Sequence, residues 1–458
     1  MTDPLFWHRL QFGFTVTYHY LFPQLTMGLA LFIVLFKWYA LRTGDAHWDA
    51  AARFWARIFA LNFAVGVVTG IPMEFQFGTN WARFSAYAGG VIGTTLAMEG
   101  MFAFFLESTF LGLFVYGEKR LSPKAHFASA VGLFAGSWLS GYFIIATNAF
   151  MQHPVGYTKT LDGRLVLSDF WAFLLNPWAL WQYAHNMTAS VVTAAFVVCG
   201  ISAFWLLMQL HRETAARCLK VAVIAAAIAS VLQLFPTGDG QGKLVADHQP
   251  VALAAMEGVF TSGPRAKLAL IGQPNVRAGR LENPVEVPGL LSFLAYGSFG
   301  STVLGLNDIP REQWPDNMEL TYYSYHVMVG LGTLFILLAL VSVLRLIQGK
   351  LFTTRWLLWA WMLAIPFPYI ANTAGWMTAE LGRQPWAIHG LLRTALASSP
   401  QVEAGDAIFT FLGFCGLYLV VGLLFLYLVG REIAHGPSAR PPAPPPLGAA
   451  APGAAGRA

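Results

Sequence analysis

Nine long apolar runs divide this chain, at about 14–40, 56–79, 92–116, 126–149, 185–209, 219–235, 322–346, 355–378 and 405–430. A helix needs roughly 20 residues to cross a bilayer, so each run is a candidate span. Between the sixth and seventh lies a polar stretch over about 237–320, rich in Gly, Pro, Asp and Glu, the one connection long enough to build something outside the membrane. The pattern predicts an all-α integral membrane protein with nine transmembrane helices. Six fall in 1–236, the extramembrane segment occupies 237–320, and three more fall in 321–435. A Pro/Ala-rich tail over 436–458 reads as disordered. No internal repeat is visible, which weighs against an inverted-repeat transporter.

Composition agrees with lipid as the main solvent. Apolar residues make up 56% of the chain and charged residues 11%, whereas a soluble domain carries about 25% charged residues. Too few charges exist to coat a water-facing surface. The net charge of +5 comes from Lys and Arg scattered between spans, with no basic run of the kind that binds nucleic acid. Cys199, Cys218 and Cys415 stand alone, so no C-x-x-C motif offers thiolate zinc or c-type haem attachment. The first residues carry no signal-peptide pattern.

Basic residues also give an orientation. Counted over alternate connections, with the long polar stretch set aside, 16 Lys and Arg fall on one side and 6 on the other. The positive-inside rule then places the N-terminus and the 237–320 segment outside and the C-terminus in the cytoplasm.

Ionisable side chains inside spans are expensive and mark function. Here they are His19, Glu74, Glu99, Glu107, His185, His326 and Glu380. With Met328 as a soft ligand, the topology brings His19, His185, Met328 and Glu380 to one depth near the outer face. There is no His-His pair for a copper–haem centre, and no pair of histidines spaced along each of two helices for a bis-His cytochrome b. Mixed ligation remains: His/Met suits an electron-transferring haem, and a lone His or carboxylate leaves a position open for a small ligand. Glu99 and Glu107 are eight residues apart, about 12 Å along a helix and turned by about 80° to neighbouring faces. From the residues alone, a haem-bearing membrane protein and a proton-coupled transporter both stay open.

Four segments carry a resemblance. GWMTAELGRQPWAI (Gly375 to Ile388), YHYLFPQLTMGLA around His19, MEGMFAFFLEST around Glu99 and Glu107, and YHVMVGLG around Met328 resemble subunit I of the cytochrome bd ubiquinol oxidases. The resemblance runs from about residue 5 to 430. It implies His185 and Met328 as axial ligands of a low-spin haem b iron, Glu380 as ligand of a high-spin haem b iron, and His19 as ligand of the haem d iron. Arg383, beside Gln384 and Trp386, would face haem propionates, with Trp376 against the same macrocycle one turn before Glu380. Glu99 and Glu107 would relay cytoplasmic protons to oxygen, and Glu257 in QPVALAAMEG would accept a quinol proton. The resemblance further implies a second membrane subunit (subunit II), a small single-span subunit in some complexes, ubiquinol or menaquinol and O2 as substrates, and a bacterial inner-membrane location. A quinone-linked cytochrome b without oxygen reduction is the related alternative.

Two positions depart from the family pattern. Ala252 stands where a lysine is usual, and His326 where many members have arginine two residues before the axial Met. The short 237–320 segment resembles the branch that includes cyanide-insensitive oxidases, in which a third haem b can stand in for haem d.

Overall fold

The computed structural model describes residues 3–437, so the tail expected over 436–458 lies, from 438 on, outside the described residues. Among the described residues, eight helices are long and apolar enough to cross a membrane, and a bent helix pair makes a ninth crossing. They are α1 (Pro4–Thr43), α2 (Ala46–Thr79), α3 (Ala82–Gly117), α4 (Pro123–Gln152), α5 (Pro177–Leu207), α6 (Arg212–His248), α8 (Met318–Ile347), the pair α9 (Arg355–Leu363) and α10 (Phe367–Gly382), and α11 (Ala404–His435). A short helix α7 (Pro250–Glu257) follows α6 in the extramembrane segment. Helices are the expected answer, because in lipid each backbone N–H and C=O must find its partner within the segment.

Local sequence explains the ends. Asp3, Asp45, Ser122, Asn176 and Asn317 each cap a helix, the side-chain oxygen accepting a backbone N–H of the first turn. Pro follows at the first turn of α1, α4 and α5, where its missing N–H costs nothing. The caps lie outside the apolar runs, so these helices start before the predicted spans. The ninth crossing bends by 40° between α9 and α10, at Ile365-Pro366-Phe367-Pro368.

Pro236 and the glycines after it read as helix breakers, and α6 is kinked there: within the π turn over Gln233–Gly238 the backbone of Phe235 is extended (φ −142°, ψ 125°), and helix resumes from Asp239 to His248. The Thr237 hydroxyl donates to the Leu232 carbonyl at 2.8 Å and stands in for a lost ladder bond. The extramembrane segment proper therefore covers 249–317. It holds α7 and the antiparallel hairpin β1 (Leu268–Asn275) and β2 (Arg280–Val287), packed around a core that includes Ala254, Phe260, Leu306 and Trp314. Its face of the bundle, called here the loop face, also carries the start of α1, the α2–α3 corner, the α4–α5 connection and the turn after α10.

α5 is the central helix, 89% of its apolar window being buried, whereas α11 is peripheral at 6%. Because lipid tails are as apolar as leucine, close packing rather than water exclusion holds such helices together. Gly28 of α1 shows it: a Cβ there would lie 2.1 Å from the Ser190 carbonyl oxygen of α5. Phe196 of α5 packs on Trp361 of α9 and Phe335 of α8, with ring centroids 4.8 and 4.7 Å apart.

Candidate functional site

The in-span residues singled out above as ligands sit toward the loop face. On α1, the His19 Nδ1 pairs with the Thr69 hydroxyl at 3.1 Å, which leaves Nε2 as the candidate ligand atom. The ring lies against α2, where a Cβ on Gly70 would come 2.9 Å from His19 Cε1. Only glycine fits there.

His185 of α5 faces the π turn of α6. Its Nδ1 is 3.3 Å from the Thr237 hydroxyl, and the Gln233 amide donates to Nε2 at 3.0 Å. The kinked turn beside Pro236 presents both partners to this ring. Met328 of α8 packs on α10, where a Cβ on Gly375 would fall 2.9 Å from its Sδ. α5 and α8 touch at Phe196 and Phe335. His185 and Met328 lie about 16 and 10 Å nearer the loop face along their helices.

Glu380 closes α10 inside a polar network. It accepts from Asn148 at 2.8 Å, from Gln152 at 3.3 Å, and from Arg383 one turn away. Asn148 in turn accepts from Gln182 at 2.8 Å, and Gln249 donates to Gln152 at 3.0 Å. Four elements are thereby tied to one carboxylate. Arg383 is only 4% exposed, and its Nε and Nη1 have no partner. Buried guanidinium donors without acceptors are costly, so these two call for oxygen anions. Gln384 accepts from Thr394 at 2.8 Å, and Trp386 carries Arg393 over its ring at 5.3 Å. Trp376 is half-buried on α10, one turn before Glu380.

A cavity of about 220 Å³ opens beside this network, lined among others by His248, Gln249, Ala252, Arg383, Trp386 and His389. His248 and His153 have ring centroids 4.1 Å apart. Burial first, then the Arg383 cation, holds the His389 imidazole below its usual range. Ala252 brings no charge to the cavity and sits against Gly382.

Glu99 and Glu107 both face α4. Glu99 accepts from Ser140 at 3.2 Å, and the Glu107 backbone lies against Gly136, one turn away along α4. The neighbouring faces expected from a regular helix are thus corrected to one face. The cause is a π turn over Glu99–Phe104: one extra residue in the turn sets the phase back by about 100°, which cancels the expected 80°.

Glu257 ends α7, 3% exposed, with Oε2 unpartnered and Tyr325 beside it. Burial raises its carboxyl to about 7. The Tyr322 hydroxyl nearby is also buried without a partner. Sequence reading missed Asn148, Gln152, Gln182 and Gln249, although amides within or beside apolar spans are a usable signal.

A many-span helical bundle with half-buried His, Met and Glu and a buried Arg gathered toward one face is a membrane redox subunit in outline. The comparisons give the family. The model of cytochrome bd terminal oxidase subunit I matches residues 7–437. Cytochrome bd ubiquinol oxidase subunit 1 of Bacillus subtilis (strain 168) is 36% identical, with 93% of each chain covered. Cytochrome bd-II ubiquinol oxidase subunit 1 of Escherichia coli (strain K12) is 32% identical, covering 96% of this chain and 98% of its own. Among solved structures, the bd oxidase from Geobacillus thermodenitrificans superposes with a TM-score of 0.89 at 32% identity, over 95% of this chain and 99% of that one. The chain belongs to the cytochrome bd terminal oxidase subunit I family, and is an oxidoreductase subunit of the membrane.

Proposed function

We propose that this chain is the haem-bearing subunit of a quinol:oxygen oxidoreductase, oxidising a membrane quinol and reducing O2 to water with protons drawn from the cytoplasm. The buried Arg383 carries the reading: a 4% exposed guanidinium with two unpartnered nitrogens beside Glu380 suits a macrocycle that brings carboxylates with it. Gly70 and Gly375 let His19 and Met328 pack directly on α2 and α10, which fixes the place of each candidate ligand. His185 and Met328 would hold a low-spin haem b, Glu380 a high-spin haem b, and His19 a haem d or a third haem b, with Arg383, Gln384, Trp386 and Trp376 around the propionates and rings. Bound haem supplies electron transfer and an open iron position for oxygen.

The chain's own residues do the rest. Glu257, raised to about 7 and with one oxygen free, accepts a proton from the quinol on the loop face. Glu107 and Glu99, on one face of α3 and backed by Gly136 and Ser140, hold and pass protons through the bundle toward the loop-face half. The Lys and Arg balance puts the loop face outside, so these protons travel from the cytoplasm toward the outer face. Because the relatives are named as subunit 1, a second membrane subunit completes the enzyme, in a bacterial inner membrane.

A pyridine haemochrome spectrum with iron and protein counts on the purified complex tests the reading. Two or more haems per chain are expected, in six- and five-coordinate forms. A colourless, iron-free complex would point to the transporter instead.

A further inference from the structure

The hairpin β1–β2 belongs to the extramembrane segment yet does not look made for water. At its middle, Leu270, Ile271 and Val285 are 52%, 66% and 54% exposed, with Ile271 and Val285 paired across the strands. The far end of the same hairpin is polar, with Asn275, Arg280, Glu282 and Asn283. An apolar cluster of this kind on a segment facing water marks a contact surface.

Its position says what it contacts. The His326 Nε2 hydrogen-bonds the Ala269 carbonyl of β1 at 3.0 Å. His326 lies eight residues inside α8, about 12 Å from the start of that helix. α8 has 30 residues and so spans about 45 Å, the full bilayer with its headgroups. Subtracting a hydrocarbon core of about 30 Å leaves roughly 7 Å of headgroup layer on each side. His326 is deeper than that. Strand β1 therefore reaches the rim of the hydrocarbon, at the level where α8 exposes Tyr323 and Val327.

Behind the hairpin sits Glu257. A Cβ on the adjoining Gly258 would meet Tyr322 Cε2 at 2.9 Å and Leu281 Cδ1 of β2 at 3.2 Å. Tyr322 stacks on His326 with centroids 3.9 Å apart. The order from the lipid side is hairpin, then His326 and Tyr322, then Glu257.

We propose that the apolar side chains at the middle of the β1–β2 hairpin dip into the headgroup–acyl boundary of the outer leaflet while its backbone edges stay at headgroup level, and that the quinol reaches Glu257 laterally past them. The second half rests on the quinol reading of Glu257. In water the three apolar side chains would lose the stabilisation that burial gives, and lipid restores it without a protein partner.

The test uses the whole purified complex in lipid nanodiscs, with Cys415→Ser to remove the one cysteine that is not buried. Spin labels at Ile271→Cys and, as the aqueous control at the tip, Arg277→Cys are probed with dissolved oxygen and a water-soluble nickel chelate. The Ile271 label should relax with oxygen and not with nickel, and the Arg277 label the reverse. Nickel access at Ile271, or access to neither because protein covers it, overturns the proposal. Ile271→Asp should then raise KM at least tenfold for a long-tailed quinol and leave a short-tailed, water-soluble quinol within twofold. Equal loss with both overturns the lateral route. Failure of the Glu257 reading shows differently, as normal quinol oxidation in Glu257→Gln with the label result unchanged.

Discussion

Arg383 donates to Glu380 from one helical turn away, and it does so from a position that is 4% exposed while the carboxylate's side chain is 35% exposed. The pair is thus asymmetric: the anion reaches toward open space and the cation is locked behind it. Asn148 and Gln152 share the same carboxylate, so its orientation is over-determined.

That asymmetry predicts unequal costs. Glu380→Gln removes the one protein acceptor that a buried cation has among the described residues and should destabilise the bundle measurably, whereas the double variant Glu380→Gln/Arg383→Gln, which leaves no unpaired buried charge, should lose clearly less. Unfolding of the purified variants in detergent, followed by circular dichroism, checks the difference. Equal stability of the single and double variants would mean the pair is not a buried unit.

Met328→Leu keeps the volume and removes the thioether. The low-spin, six-coordinate signal should vanish while most of the high-spin signal stays, as read by low-temperature absorption and EPR. An unchanged low-spin spectrum would take Met328 out of the ligand set.

Glu107→Gln preserves shape and hydrogen bonding but carries no proton. Oxygen reduction should slow by about 10²-fold or more, while quinol reduction of the low-spin haem proceeds nearly as in the parent. Stopped-flow traces at the two wavelengths separate the steps, and parental turnover would leave Glu107 a structural polar residue.

The pH profile follows from Glu257. A base must be ionised to accept a proton, and burial has raised this carboxyl to about 7. Quinol oxidation should therefore hold above pH 7 and fall as pH drops through about 7, by tenfold for each further unit. In Glu257→Gln that inflection should disappear along with most of the rate. A profile flat from pH 5 to 8 in the parent would remove Glu257 from the proton step.

Much of this was readable in the sequence. Nine apolar runs gave nine crossings, because spanning length and hydropathy are one-dimensional properties. His19, His185, Met328 and Glu380 could be placed toward one face from topology alone. What could not be read depends on backbone phase and on neighbours distant in sequence. The π turn after Glu99 moves it onto the face of Glu107, and nothing in EGMFAF declares the extra residue. Pro236 does mark a break in α6, but nothing in the sequence declares that helix resumes beyond it to His248. The amides around Glu380 come from α4, α5 and the segment before α7, up to 232 residues away, and only folding assembles them.

The central claim is that one complex both takes electrons from quinol and gives them to oxygen. Anaerobic mixing of the purified complex with a quinol, followed by a pulse of oxygen under a rapid-scan spectrometer, tests it most directly. Quinol alone should reduce a low-spin haem b, and oxygen should then reoxidise it with oxygen consumed in step. Haem that quinol reduces but oxygen leaves reduced, with no oxygen uptake, would contradict it and make this chain a quinone-linked cytochrome only.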